Sequence, residues 1–258
     1  MSASDSVSPL SVALQATVPA AGEPPAVQPG GTSPLPTNPP AALAAEVTNA
    51  GPPVHAAAPA IWAPLFAEDD AVADGRARAH EAGIDVVDAV TGAVLRFLAA
   101  LVSARTVVQV GTGAGIAGLW LLRGMRPDGV LTSIDPDAES QRLARDAFRA
   151  DGVPHARTRL IAGSAPAVLP RLADAGYDLV HLDCRARELP ECVAEARRLL
   201  RPKGVLVLTR ALSEPESMEQ IRDTLRDDPR LTLLLVPVST GILAAALPPA
   251  PAADGTVH

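Results

Sequence analysis

The sequence predicts an α/β protein: a doubly wound sheet of seven strands, mostly parallel, with an antiparallel hairpin at its C-terminal end. Three observations carry this. β-branched runs alternate with amphipathic stretches of about 10–13 residues from Thr106 to Arg226, the pattern of right-handed βαβ units. The last two apolar runs are separated only by the five residues Pro237–Gly241, too few for a parallel crossover. Two helical stretches precede the first strand.

Helix is expected over Glu68–Ala82, with a charged face and a stop at Gly83, and over Ala89–Leu101, with Val90, Val94, Leu95, Phe97, Leu98 and Leu101 on its apolar side. Thr106–Val110 reads as the first strand and Ile116–Arg126 as a helix. The strand Val130–Ile134 is followed by the helix Ala138–Ala150, and Thr158–Ile161 by Ala167–Ala173. Next come the strand Asp178–Leu182, the helix Pro190–Leu200, the strand Gly204–Leu208 and the helix Glu216–Arg226. Leu231–Val236 and Ile242–Ala246 close the sheet.

Composition divides the chain. Residues 1–60 hold 12 of the 26 prolines, three acids and no Lys or Arg, so they are expected to be a disordered Ala/Pro-rich tail. Residues 61–248 form the expected domain, and 249–258 a disordered end. From Ile61 onward 22 basic residues face 26 acidic ones, which argues against a nucleic-acid footprint. Six aromatics leave little for base stacking. No apolar run approaches the roughly 20 residues of a membrane span, and the N-terminus has neither the positive start of a secretory signal nor the arginines of a transit peptide. A cytoplasmic protein is expected. Cys184 and Cys192 have no zinc-site spacing and read as buried or half-buried thiols.

Ligands in such sheets bind outside the carboxyl ends of the strands. The first end, Val110-Gly111-Thr112-Gly113-Ala114-Gly115, is a glycine loop before a helix, where backbone and helix-start amides can face a ligand. At the second, Ile134-Asp135-Pro136, the acid is placed to accept ribose hydroxyls, a logic shared by nicotinamide and adenosyl cofactors. Asp137 is the better helix cap. The third, Gly163-Ser164-Ala165, is small enough to line a flat base. Leu182-Asp183-Cys184-Arg185 and Leu208-Thr209-Arg210 follow. His181 reads as a packed strand residue, and Trp120 and Phe148 as core.

Val108–Gly115, Ile134-Asp135, Gly163–Leu169, Asp178–Asp183 and Leu199–Val207 together resemble class I S-adenosylmethionine (SAM) dependent methyltransferases with their Rossmann-like sheet. The closest type is the caffeoyl-CoA/catechol-like O-methyltransferase family, in its bacterial branch. The resemblance covers about Ile61 to Leu247 and implies SAM as cofactor, a small-molecule acceptor and a homodimer. It sets Val87 on the methionine side and Gln109 where the family has an acid that holds the cofactor. Gly111, Thr112 and Gly113 belong to the loop along SAM, with Gly111 and Thr112 giving backbone contact. Ala117 replaces a Ser at the amino-acid moiety. Asp135 takes the ribose, with Pro136 beside the adenine and Ala165 near its edge. Metal-dependent members take ligands from the fourth and fifth strand ends. Asp183 retains the first acid, but Arg185 replaces the second, Ala186 a lysine, and Thr209-Arg210 the Asp-Asn pair. A cation at a divalent-metal site repels the metal, so no metal is expected. Arg210 is expected to pair with Asp183 and fill the vacated position, either as part of the chemistry or as a structural ion pair. Three functions fit these residues: a metal-free SAM-dependent O-methyltransferase, a degenerate SAM-binding or dimerising member without catalysis, and an NAD-dependent oxidoreductase. The glycine pattern GTGAG directly after the strand disfavours the last.

Overall fold

A computed structural model describes residues 64–184, 186–213 and 215–249. The expected tail 1–60, the end 250–258 and Arg185 lie outside the described residues. Within them the order is α1 (Asp70–Glu81), α2 (Ala89–Leu101), β1 (Thr106–Val110), α3 (Ile116–Gly124), β2 (Val130–Asp135), α4 (Ala138–Ala150), β3 (Thr158–Ala162), α5 (Ala165–Val168), β4 (Tyr177–Leu182), α6 (Leu189–Leu199), β5 (Leu200–Thr209), α7 (Pro215–Arg226), β6 (Thr232–Val236) and β7 (Ile242–Ala246).

The seven strands lie in the order β3-β2-β1-β4-β5-β7-β6. The four pairings from β3 to β5 are parallel, and β7 runs antiparallel to both β5 and β6. The expected hairpin is therefore present, and it closes one edge of the sheet. Strand alternation sorts the core into two layers. Val107 and Leu179 face α2, α3 and α4, where Leu95, Leu119, Trp120 and Phe148 are buried. Val108, Val180 and Leu206 face the other side, against Val193, Leu199, Ile221 and Leu225 of α6 and α7. Trp120 and Phe148 are core, as expected. Each large apolar side chain buried this way contributes roughly 1.5–3 kcal/mol.

The caps follow the sequence. Asp69, Asp88 and Asp137 accept backbone amides at the starts of α1, α2 and α4. Expected and observed bounds differ most after β3. A helix over Ala167–Ala173 is replaced by the single turn α5 and a 3-10 turn over Leu169–Arg171. Pro170 has no N–H to continue the ladder and its ring crowds the preceding turn. The fifth strand begins at Leu200, four residues earlier than expected, because Leu200 pairs with Tyr177 before a register shift at Tyr177/Leu179. At the amino ends of the strands, Asp178 Oδ2 accepts the amides of Arg105 (2.7 Å) and Thr106 (2.9 Å), fixing β1 against β4.

Candidate active site

The carboxyl ends of β1, β2, β4 and β5 open on one cleft. One lobe, of about 210 Å³, is walled by Val87, Gly111, Thr112, Gly113, Ala117, Asp135, Asp183 and Arg210, with Asp85 and Val86 beside them. A second, of about 660 Å³, is bounded by Asp135, Pro136, Ser164, Ala165, Asp183, Thr209 and Arg210, and reaches Met218 of α7. Gly111, Asp135, Asp183 and Arg210 border both. All expected site residues except Gln109 thus meet at one place.

The glycine loop needs its glycines. Gly111, Gly113 and Gly115 have φ of 85°, 50° and 86°, the left-handed region that side chains disfavour. At Gly111 a Cβ would come within 2.2 Å of the Asp183 carbonyl oxygen, and at Gly115 within 2.8 Å of Ala144. The loop therefore lies directly on the end of β4 and on α4.

Asp135 has two duties. Its Oδ2 accepts the amides of Thr112 (2.8 Å) and Gly113 (3.3 Å), and Oδ1 that of Asp137 (2.9 Å). Loop amides expected to face a ligand are engaged by the acid expected at the ribose. Asp137 then caps α4 through Ser140, as anticipated.

Gln109 departs from expectation. Period two along β1 turns it to the α3 side, where it is fully buried. Its Nε2 donates to the Gly111 carbonyl (2.9 Å), and its Oε1 accepts from the Ser133 hydroxyl (3.3 Å). It braces the loop from beneath and is not on the cleft wall.

Arg210 does stand on Asp183. Its Nε and Nη2 approach Oδ1 at 2.7 and 2.5 Å, a charge-assisted contact, while Oδ2 has no partner among the described residues. Arg210 has φ of 59°, a left-handed conformation costing a non-glycine residue about 1 kcal/mol. The β6–β7 loop holds that turn: Ala211 N donates to Gly241 O (3.1 Å) and Leu212 N to Thr240 O (2.8 Å). Arg185, which replaces the family's second acid, is outside the described residues. Among the described residues no cluster of three or more His, Cys, Asp or Glu could hold a metal ion.

His181 lies on the same face of β4 as Asp183, fully buried, with Nε2 3.2 Å from Thr209 Oγ1 and Nδ1 without a partner among the described residues. Burial lowers its pKa to about 4, with opposing contributions from Asp183 (raising) and Arg210 (lowering). It is a packed strand residue, as the sequence suggests. A depressed folded-state pKa means the unfolded chain takes up a proton the folded chain refuses. The associated stability is present above pH 6.5 and lost as pH falls toward 4, by about 3 kcal/mol. Urea unfolding from pH 7 to 4.5 should show this component in the wild type and lose it in His181→Gln. Equal pH slopes for the two proteins would contradict it. Cys184 and Cys192 are free thiols. A hydrogen bond with Cys192, and then burial, push the Cys184 thiol well above its ordinary pKa, so it is protonated and no nucleophile.

Residues 108–209 match the family described as a methyltransferase domain. A protein of Mycolicibacterium vanbaalenii, named as an inferred O-methyltransferase, is 47% identical over 193 residues, covering 70% of this chain and 85% of that one. The chain belongs to the class I SAM-dependent O-methyltransferases. A Mycobacterium tuberculosis protein named similarly is 44% identical over 210 residues, 76% of this chain and 94% of that one. The solved structure of the O-methyltransferase TomG from Streptomyces achromogenes, in complex with SAM, superposes with a TM-score of 0.64 at 27% identity, covering 73% of this chain and 94% of that one.

The residues of this methyltransferase fit SAM. The smaller lobe sets three carboxylates, Asp85, Asp135 and Asp183, against one guanidinium, which suits a ligand with a sulfonium and an ammonium. The larger lobe offers Pro136, Ser164 and Ala165 as a low wall for a flat base. Sequence reasoning missed Asp85, Val86 and Met218. The first two sit in the turn before α2 and the third on α7, and no local pattern announces that they face the cleft.

Proposed function

We propose that this methyltransferase moves the methyl group of SAM to a hydroxyl of a small-molecule acceptor without a divalent metal, and that Asp183 and Arg210 receive the acceptor. The observation that carries this is the Arg210 guanidinium on Asp183 Oδ1. It stands where metal-dependent relatives of the resembled family have ligands, and its positive charge opposes a metal there. SAM supplies an electrophilic methyl on a sulfonium. Asp183 Oδ2 orients the acceptor hydroxyl and takes its proton, and Arg210 balances the carboxylate and the oxygen charge that develops. Gly111 and the β4 end hold the two lobes in one register, so proximity supplies much of the acceleration. His181 takes no part, being sealed in the sheet.

Val87, Gly113 and Ala117 border the methionine end, Asp135 the ribose, and Pro136 and Ala165 the adenine. No helix among the described residues is long and apolar enough to cross a membrane. A cytoplasmic homodimer is part of this reading, supported by the family resemblance and by Phe97 and Leu101 exposed on α2.

Calorimetric titration with SAM and with S-adenosylhomocysteine (SAH), its demethylated product, tests the cofactor. Binding in the micromolar range is expected, and no heat at high micromolar ligand would overturn the reading. Added Mg²⁺ should produce no binding isotherm, and a site of micromolar affinity would refute the metal-free mechanism. SAM binding without SAH formation across hydroxylated acceptors would instead favour a non-catalytic member.

A further inference from the structure

The smaller lobe of the cleft is bordered by an acidic residue that the mechanism above does not use. Asp85 follows Ile84 in the turn between α1 and α2 and stands beside Val86 and Val87. It is exposed. Its carbonyl oxygen is 3.8 Å from where a Cβ on Gly113 would lie, so this turn runs along the glycine loop.

Two positions that the family resemblance sets on the cofactor, Gln109 and (at the amino-acid moiety) Ala117, cannot serve a cation. Ala117 has no polar side chain, and Gln109 is buried with both ends of its amide committed to Gly111 and Ser133. An ammonium entering this lobe still requires a counter-charge. Of the three carboxylates lining it, Asp135 accepts the amides of Thr112, Gly113 and Asp137. Asp183 is balanced by Arg210. Asp85 alone has neither an ion pair nor a side-chain hydrogen bond among the described residues.

We propose that Asp85 receives the α-ammonium of SAM, replacing the acid and the hydroxyl lost at Gln109 and Ala117. This rests on the SAM reading above and adds a residue to it. The pairing supplies a counter-charge at the amino-acid end from the turn before α2, where the family resemblance has polar groups on β1 and α3.

The test separates the two ends of the ligand. SAH carries the adenosine, the thioether and the amino acid, whereas 5′-methylthioadenosine lacks the amino-acid end. In calorimetric titrations Asp85→Asn should weaken SAH about fivefold and leave 5′-methylthioadenosine within twofold. An exposed ion pair in a cleft is worth roughly that factor. Raising the salt concentration should narrow the SAH difference. Unchanged SAH affinity in Asp85→Asn would overturn the assignment. Equal weakening of both ligands would also overturn it, pointing to a displaced turn, which the melting temperature reads separately. A wild type that binds neither ligand would instead refute the SAM reading, and the assignment would fall with it.

Discussion

Asp183→Asn is expected to lower methyl transfer by about two orders of magnitude, the usual contribution of a positioned base, while SAH affinity stays within about threefold. The substitution keeps the shape at the end of β4 and removes only the charge. Two consequences follow from the 2.5 and 2.7 Å contacts of Arg210 with Oδ1. The acceptor hydroxyl loses its proton acceptor, and the Arg210 guanidinium loses its counter-charge. Arg210 is nearly half exposed, so water screens the second effect and the fold should tolerate it. Melting temperature should therefore change little while turnover falls. Single-turnover formation of SAH from bound SAM measures the step directly. Unchanged turnover in Asp183→Asn would reduce the pair to a structural ion pair and remove both residues from the chemistry.

Gly111→Ala should damage both fold and site. The new Cβ would lie 2.2 Å from the Asp183 carbonyl oxygen and 3.1 Å from its carbon, backbone atoms with nowhere to go. The residue would also have to hold φ of 85°. Left-handed strain of about 1–2 kcal/mol adds to an overpacking cost of about 1–3 kcal/mol. For a domain of this size that total lowers the melting temperature by roughly 5–15 °C. Relief requires β4 to move away from β1, which carries Asp183 off the line of the cleft, so SAH binding should fall as well. Gly152→Ala supplies the control. Gly152 has φ of 70° and open space around it, so its alanine variant bears the strain without the clash. Equal melting shifts for the two variants would show that contact with the Asp183 backbone is unimportant.

Several features of this site were legible in the sequence because their causes are local. A glycine triplet after a β-branched run signals a loop of positive φ, and all three glycines adopt it. Asp137, three residues before Ser140, signals a cap, and Ser140 donates to it. An arginine placed where metal-dependent relatives have ligands signals a guanidinium facing the remaining acid, and Arg210 contacts Asp183. The helix expected over Ala167–Ala173 is cut short at Pro170, whose missing N–H cannot continue the ladder.

Gln109, Asp135 and Asp85 were not legible in the same way. Family position places Gln109 at the cofactor, but the neighbouring Ser133 and the Gly111 carbonyl capture its amide beneath the loop. Asp135 is expected to meet a ribose, yet Thr112 and Gly113, more than twenty residues earlier, come back to donate to it.

By itself the sequence determined the α/β class, the seven strands, the C-terminal hairpin and the glycine loop, since periodicity and turn chemistry act over a few residues. Tertiary structure alone decided which side chains meet. The parallel sheet brings β1, β2, β4 and β5 side by side and leaves Asp85, Asp183 and Arg210 around one cleft. Whether a carboxylate is engaged or open depends on groups far along the chain, and only packing determines where those groups lie.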